Sequence, residues 1–112
     1  MAKMGEKLEQ IKRLIGKLQQ QQPDSIKNFL SFMTSVEKEG ALSLKQKELI
    51  NVGLAVAAQC EWCIALHVKG ALDAGATKEE IVEAAMQAVL MHGGPALMYM
   101  TPLEEALDEF TK

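Results

Sequence analysis

The sequence contains few of several residue types that shape a small protein's core. Its 112 residues include two cysteines, three prolines and only a 4% share of aromatic residues. Apolar residues nevertheless make up 48% of the chain, so the core must consist of aliphatic side chains and alanine, which favours closely packed helices. A chain of this length can form one such core, and a second domain does not fit.

Long apolar runs and an excess of positive charge are also missing. No stretch has the length and apolar character needed to span a bilayer, and residues 1–7 lack the apolar core of a signal peptide. We therefore expect a cytoplasmic protein. The formal net charge of −3 creates no general attraction for nucleic acid or anionic lipid, so neither nucleic acid nor a membrane is an expected partner.

Apolar residues recur at spacings of three and four along most of the chain, which is typical of amphipathic helices. Two such helices are predicted within residues 6–39, and Gly40 is expected to end the second of them in a left-handed conformation. No segment alternates apolar and polar residues as a strand would. The predicted fold class is all-α: a single domain over residues 1–112 that forms a bundle of about six helices.

Capping residues predict where two further helices begin. Ser43 with Gln46, and Thr77 with Glu80, match the capping box, in which two side chains satisfy free amides of a first helical turn. The third helix is expected to run to about residue 59. A fourth helix should end near Gly75.

The predicted fifth helix, over residues 81–91, is apolar on nearly every side. One small core cannot cover a helix of this kind, so we expect a homo-oligomer. The segment 93–95, Gly-Gly-Pro, is expected to break this helix, and a last helix follows over about 102–110.

Cys60 and Cys63 form a Cys-x-x-Cys motif at a predicted helix start. A structural disulfide is improbable in a reducing cytoplasm, so the pair is redox-active, metal-binding or incidental. Free amides and the helix dipole favour a thiolate at a helix start, whereas the neighbouring Glu61 opposes it. His67 lies four residues after Cys63 and thus on the same helix face, where its ring could take a thiol proton.

Glu48 is the fourth candidate site residue. It lies on the preceding helix, in a stripe with Val52 and Ala55 that leads to Cys60. If the two helices pack as an antiparallel pair, its carboxylate can reach His67, orient the ring and stabilise its protonated form. The alternative is that Glu48 is a solvated residue of the helix surface.

The spacing of these four residues resembles a known signature. Glu48, eleven intervening residues, Cys60-x-x-Cys63, three residues and then His67 are similar to the alkyl hydroperoxidase D-like branch of the carboxymuconolactone decarboxylase superfamily. The similarity continues through residues 74–81 and 93–96. It defines a family-like core over about 42–103, with the N-terminal helices of residues 6–39 outside it.

The resemblance implies an all-helical subunit that assembles into trimers or hexamers. It also implies that Cys60 and Cys63 reduce peroxides or disulfides through a disulfide intermediate, with Glu48 and His67 as a proton relay. An external dithiol or protein would be the electron donor, and no cofactor is expected. One residue departs from the pattern: the best-known peroxidase of the family has histidine just before the second cysteine, where this chain has Trp62.

Three other interpretations remain open at this point. Cys60, Cys63, His67 and Glu48 could be zinc ligands, although their spacing differs from paired zinc knuckles. The chain could be a lactone decarboxylase, the activity in the superfamily's name, which would not need two cysteines. It could also be a non-enzymatic oligomeric protein that keeps the cysteine pair as a redox switch.

Overall fold

The computed structural model describes residues 3–112 and confirms the all-α class, since this range contains seven helices and no strand. The helices are α1 (Lys3–Gln21), α2 (Pro23–Glu37), α3 (Leu44–Ala57), α4 (Glu61–Asp73), α5 (Lys78–His92), α6 (Gly94–Met98) and α7 (Met100–Phe110). Within the described range, no helix combines the length and the apolar character that crossing a bilayer requires.

The core lies around α4, which packs against α3, α7 and α1, while α5 covers another side of α3. The largest fully buried side chains come from five of these elements: Met4, Ile64, Ile81, Leu103, Leu107, Val52, Val56 and Val68. Alanine accounts for half of the buried apolar residues of the described range. Small side chains let the helix axes approach closely, as the composition predicts.

Both predicted capping boxes are present. Ser43 Oγ accepts a hydrogen bond from the amide of Gln46 at 3.1 Å, and Gln46 Oε1 accepts one from the amide of Ser43 at 2.8 Å. Thr77 and Glu80 make the same pair of bonds at the start of α5. Each box satisfies two amides that the first helical turn leaves without intrahelical partners.

The predicted role of Gly40 is wrong. Helix α2 ends at Glu37, and Lys38 leaves it with extended dihedrals, φ −63° and ψ 138°. Gly40 has no positive φ, in contrast to Gly75 and Gly93. Lys47 Nζ of α3 donates to the carbonyl of Val36 at 2.9 Å and to that of Lys38. Carbonyls at the end of α2 are therefore hydrogen-bonded by a side chain, and no left-handed residue is needed there.

The short helix α6 was not predicted. Gly93 ends α5 with φ 71°, as expected of the Gly-Gly-Pro segment, but the chain turns helical again at Gly94. Pro95 lies in the first turn of α6, where its missing amide hydrogen costs nothing and its restricted φ suits a helix. Gly93 is therefore the C-cap of one helix and the N-cap of the next.

Two helices expose apolar side chains in the single chain. Helix α2 has no buried residue, and Phe29 and Phe32 are 53% and 64% exposed. On α5, Leu90 and Met91 are 76% and 78% exposed. The sequence pattern predicted exposed apolar side chains on α5, and the larger exposed side chains lie on α2. Assembly itself stays a prediction.

Candidate active site

The Cys-x-x-Cys motif directly follows the turn between α3 and α4. The amide of Cys60 donates to the carbonyl of Ala55 at 3.2 Å, and the amide of Gln59 donates to that of Val56 at 3.1 Å. These two hydrogen bonds define a Schellman motif, in which the residue after the helix C-cap adopts a left-handed conformation and is usually glycine. Here that residue is Gln59, with φ 57°. A non-glycine residue is held in a costly conformation directly before the first cysteine.

Cys60 and Cys63 are joined by a disulfide, with their Cα atoms 5.2 Å apart. Cys60 is the N-cap of α4, and its sulfur accepts a hydrogen bond from the amide of Cys63 at 3.2 Å. The bond therefore closes the first turn of a helix, where free amides stabilise negative charge on sulfur once the bond is reduced. Two sulfurs bonded to each other are not thiolate ligands, so this state does not match the zinc interpretation.

Glu48 and His67 form a direct pair between α3 and α4. Glu48 Oε1 lies 2.8 Å from His67 Nδ1, and the exposed fractions of the two side chains are 10% and 18%. Asn51, one turn along α3, donates its amide hydrogen to the same carboxylate oxygen at 3.0 Å. The contact expected from an antiparallel helix pair is present, and Glu48 is not a solvated surface residue.

Burial by itself raises the pKa of Glu48, because a carboxylate is poorly solvated between two helices. Hydrogen bonds from His67 and Asn51, together with the positive charge of a protonated His67, outweigh this effect and leave the pKa below its ordinary value. Glu48 is therefore ionised at neutral pH. An ionised carboxylate accepts only, so His67 Nδ1 must be the donor, which leaves Nε2 of the neutral ring free to accept a proton.

Gly70 makes room for this carboxylate. It lies on α4 three residues after His67, and a Cβ atom added to it would overlap Glu48 Oε2 and lie 2.8 Å from Glu48 Cδ. Any larger residue at position 70 would displace the carboxylate. The absence of a side chain here is thus part of the site.

Trp62 faces helix α1. Its indole Nε1 donates to Gln10 Oε1 at 2.8 Å, and Lys7 Nζ lies 4.6 Å from the ring centroid, within the range of a cation–π contact. Lys7 also lies 3.7 Å from the Glu61 carboxylate. Helix α1 therefore holds both residues between the cysteines, a contact that the sequence did not predict.

Glu37 joins the pair from the end of α2. A carboxylate oxygen of Glu37, a carboxylate oxygen of Glu48 and a ring nitrogen of His67 all lie within 4.8 Å of one another. Sequence reasoning missed Glu37, Asn51 and Gly70. Asn51 could have been found from its spacing of three from Glu48 on one helix face. No sequence signal placed Glu37 near His67, because that contact depends on how α2 returns to α3.

These features agree with a family model. The model described as the carboxymuconolactone decarboxylase family matches residues 23–105, which includes all seven helices except α1 and the last turns of α7. The chain belongs to the carboxymuconolactone decarboxylase family. The match reaches α2, which lies outside the 42–103 range of the sequence resemblance.

Individual relatives support this membership. An uncharacterised protein from the cox locus of Paracoccus denitrificans is 43% identical over 81 residues, 72% of this chain and 73% of the relative. An uncharacterised protein from Cupriavidus necator is 38% identical over 93 residues, covering 83% and 82% of the two chains. The crystal structure of an apo carboxymuconolactone decarboxylase family protein from Legionella pneumophila superposes with a TM-score of 0.94 at 38% identity, with complete coverage of both chains.

Proposed function

We propose that this member of the carboxymuconolactone decarboxylase family is a thiol-dependent oxidoreductase that reduces peroxides or disulfides. Cys60 and Cys63 would alternate between dithiol and disulfide, and Glu48 and His67 would act as a proton relay. One observation carries the proposal: a Cys-x-x-Cys disulfide closes the first turn of α4, and His67, one turn further along the same helix, is paired with the buried Glu48 of α3.

The two sulfurs, the peroxide and an external donor account for all the electrons of the reaction. In the reduced protein, one thiolate attacks a peroxide oxygen, the O–O bond breaks, and a sulfenic acid forms as an alcohol leaves with a proton. The second thiolate attacks the sulfenic sulfur, and hydroxide leaves as water. Two thiols and one peroxide thus become one disulfide, one alcohol and one water. A donor dithiol or protein then reduces the disulfide by exchange and is itself oxidised.

His67 suits the transfer of the thiol proton. It is four residues from Cys63 on α4, and the ionised Glu48 keeps Nδ1 protonated and stabilises the positive ring that forms when Nε2 takes a proton. Because the pair is mostly buried, this stabilisation is stronger than the same contact would be in water.

The exposed apolar surfaces of α2 and α5 support a homo-oligomer, and the family resemblance suggests a trimer or hexamer. Phe29 and Phe32 of α2, and Leu90 and Met91 of α5, would be covered by neighbouring subunits. A reducing compartment such as the cytoplasm would supply the donor thiols.

The test is intact mass with thiol counting on the reduced protein before and after one equivalent of peroxide. We expect loss of two thiols within one chain and no added oxygen, followed by sustained peroxide consumption when a dithiol is supplied. Cys60→Ser and Cys63→Ser should each abolish turnover. His67→Ala should slow thiol oxidation by about 10²–10⁴-fold, the usual contribution of a general base, with the fold intact.

His92→Ala is the matched control, because His92 is the second histidine of the chain and is exposed at the end of α5. It should leave the oxidation rate unchanged. Lactone decarboxylation that survives both cysteine substitutions would favour the decarboxylase interpretation instead. A stable assembly whose thiols oxidise reversibly without turnover would favour a redox-switch protein.

A further inference from the structure

Hydrogen bonds from α3 hold the end of α2 beside the Glu48–His67 pair. Lys47, which precedes Glu48 on α3, donates to the carbonyls of Val36 and Lys38, the residues on either side of Glu37. A second bond runs from the amide of Leu44 to Glu39 Oε2 at 3.2 Å. These contacts hold Glu37 in place even though α2 has no buried residue.

Glu37 differs from Glu48 in exposure and in partners. Its carboxylate lies within 4.8 Å of both Glu48 and His67, and it is partly exposed, whereas Glu48 is buried. Over residues 3–112 it makes no hydrogen bond or ion pair of its own. One water molecule can bridge polar atoms at such a distance. Glu37 is therefore the next proton-accepting group outward from the buried pair.

The proposed reaction makes such a group useful. Oxidation of the cysteines and their later reduction happen at different times, so a proton taken up by His67 in one step must reach water before the next. The ring is 18% exposed and the carboxylate of Glu48 10% exposed, and each is hydrogen-bonded to the other. Direct exchange with bulk water is thus restricted at both groups.

We propose that Glu37 exchanges protons between the Glu48–His67 pair and solvent. The inference rests on the proposed thiol chemistry. Glu37 acts through His67 and Glu48 and not on the sulfur atoms, so it is a positioning residue of the relay. Glu48 of α3 and His67 of α4 lie within 4.8 Å of Glu37, and Lys47 of α3 binds the backbone carbonyls on either side of it. Lys38 and Glu39 are the ionisable residues that follow it in the chain.

The experiment measures two rates: the reduction of the Cys60–Cys63 disulfide by dithiothreitol, and the oxidation of the resulting dithiol by peroxide. Each rate is measured from pH 5 to pH 9 at several buffer concentrations. Glu37→Gln should be slower by about tenfold at low buffer, less than the 10²–10⁴-fold expected for loss of the base itself. Added imidazole or acetate, which carry protons in place of the missing carboxylate, should restore the rate. Glu37→Asp should keep most of the wild-type rate and pH profile.

Glu105→Gln is the matched control, because Glu105 is also partly exposed and lies on α7 outside the cluster. It should behave as wild type at all buffer concentrations. An unchanged rate in Glu37→Gln, or a slow rate that imidazole and acetate do not restore, would overturn the role of Glu37. Wild-type protein that reacts with dithiothreitol but not with peroxide would instead count against peroxide reduction, while the buffer dependence of disulfide reduction would still decide on Glu37.

Discussion

Replacing Gly70 with alanine should disrupt the Glu48–His67 pair without touching either residue. The added Cβ would overlap Glu48 Oε2 and lie 2.8 Å from Glu48 Cδ, closer than real Cβ atoms approach other heavy atoms. A flexible carboxylate in solvent could simply swing away. This one is buried and bonded to His67 at 2.8 Å and to Asn51 at 3.0 Å, so moving it breaks both contacts.

The size of the effect follows from two opposing contributions. Glycine to alanine inside a helix normally stabilises by about 0.5–1 kcal/mol, because the unfolded chain loses freedom. Loss of a hydrogen bond to a charged group costs about 1.5–3 kcal/mol. Two such bonds are lost, so a cost of about 3–6 kcal/mol opposes a gain of about 0.5–1 kcal/mol. We therefore expect Gly70→Ala to lower the free energy of unfolding by about 2–5 kcal/mol, measured by urea denaturation of the reduced and oxidised protein.

Gly16→Ala is the control, since Gly16 lies within α1 and a Cβ there meets nothing within 4 Å. It should stabilise by about 0.5–1 kcal/mol. The double variant Glu48→Ala with Gly70→Ala completes the test. Without the carboxylate the added methyl has no clash, so Gly70→Ala should become stabilising in that background, and the two effects should not add.

Two results would refute this reasoning. One is that Gly70→Ala stabilises the wild-type background as Gly16→Ala does, which would mean that the carboxylate moves at no cost. Alternatively, its effect could be the same with and without Glu48. A third readout, the rate of thiol oxidation, should fall in Gly70→Ala and stay at the wild-type value in Gly16→Ala.

Three further predictions concern pH, backbone conformation and assembly. The pKa of Glu48 in the folded protein lies below its unfolded value of about 4.3, so its contribution to stability is present above that pH and is lost as pH falls through the folded pKa. Between pH 6 and pH 3 the free energy of unfolding should therefore decrease less in Glu48→Gln than in the wild type. Gln59→Gly should be neutral or stabilise by up to about 1 kcal/mol because it relieves φ 57°, whereas Gly75→Ala, at φ 95°, should cost about 1 kcal/mol or more in the same denaturation assay. Light scattering at micromolar concentration should give an oligomeric mass that falls when Phe29 and Phe32 are both changed to serine, and a monomeric wild-type mass would contradict the assembly.

Local signals in the sequence predicted much of the fold. Ser43 and Thr77 mark helix starts because a capping box involves residues only three apart, and Gly75 marks a helix end because it adopts a left-handed conformation easily. The same reasoning failed at Gly40, where Lys47 from another helix binds the end of α2, and at Gln59, where a left-handed turn is made without glycine. In both places contacts from elsewhere in the chain outweigh local preference.

The candidate site divides in the same way. The sequence alone placed Cys60, Cys63 and His67 together, because spacings of three and four on one helix fix their relative positions whatever the rest of the chain does. It could only suggest that Glu48 meets His67, since that depends on how two helices pack. The tertiary structure decided this contact at 2.8 Å, and it alone brought Glu37 to the pair and set the backbone of Gly70 against the carboxylate. These are contacts between residues far apart in the chain, and their distances follow from the packing of α2, α3 and α4, which no local pattern encodes.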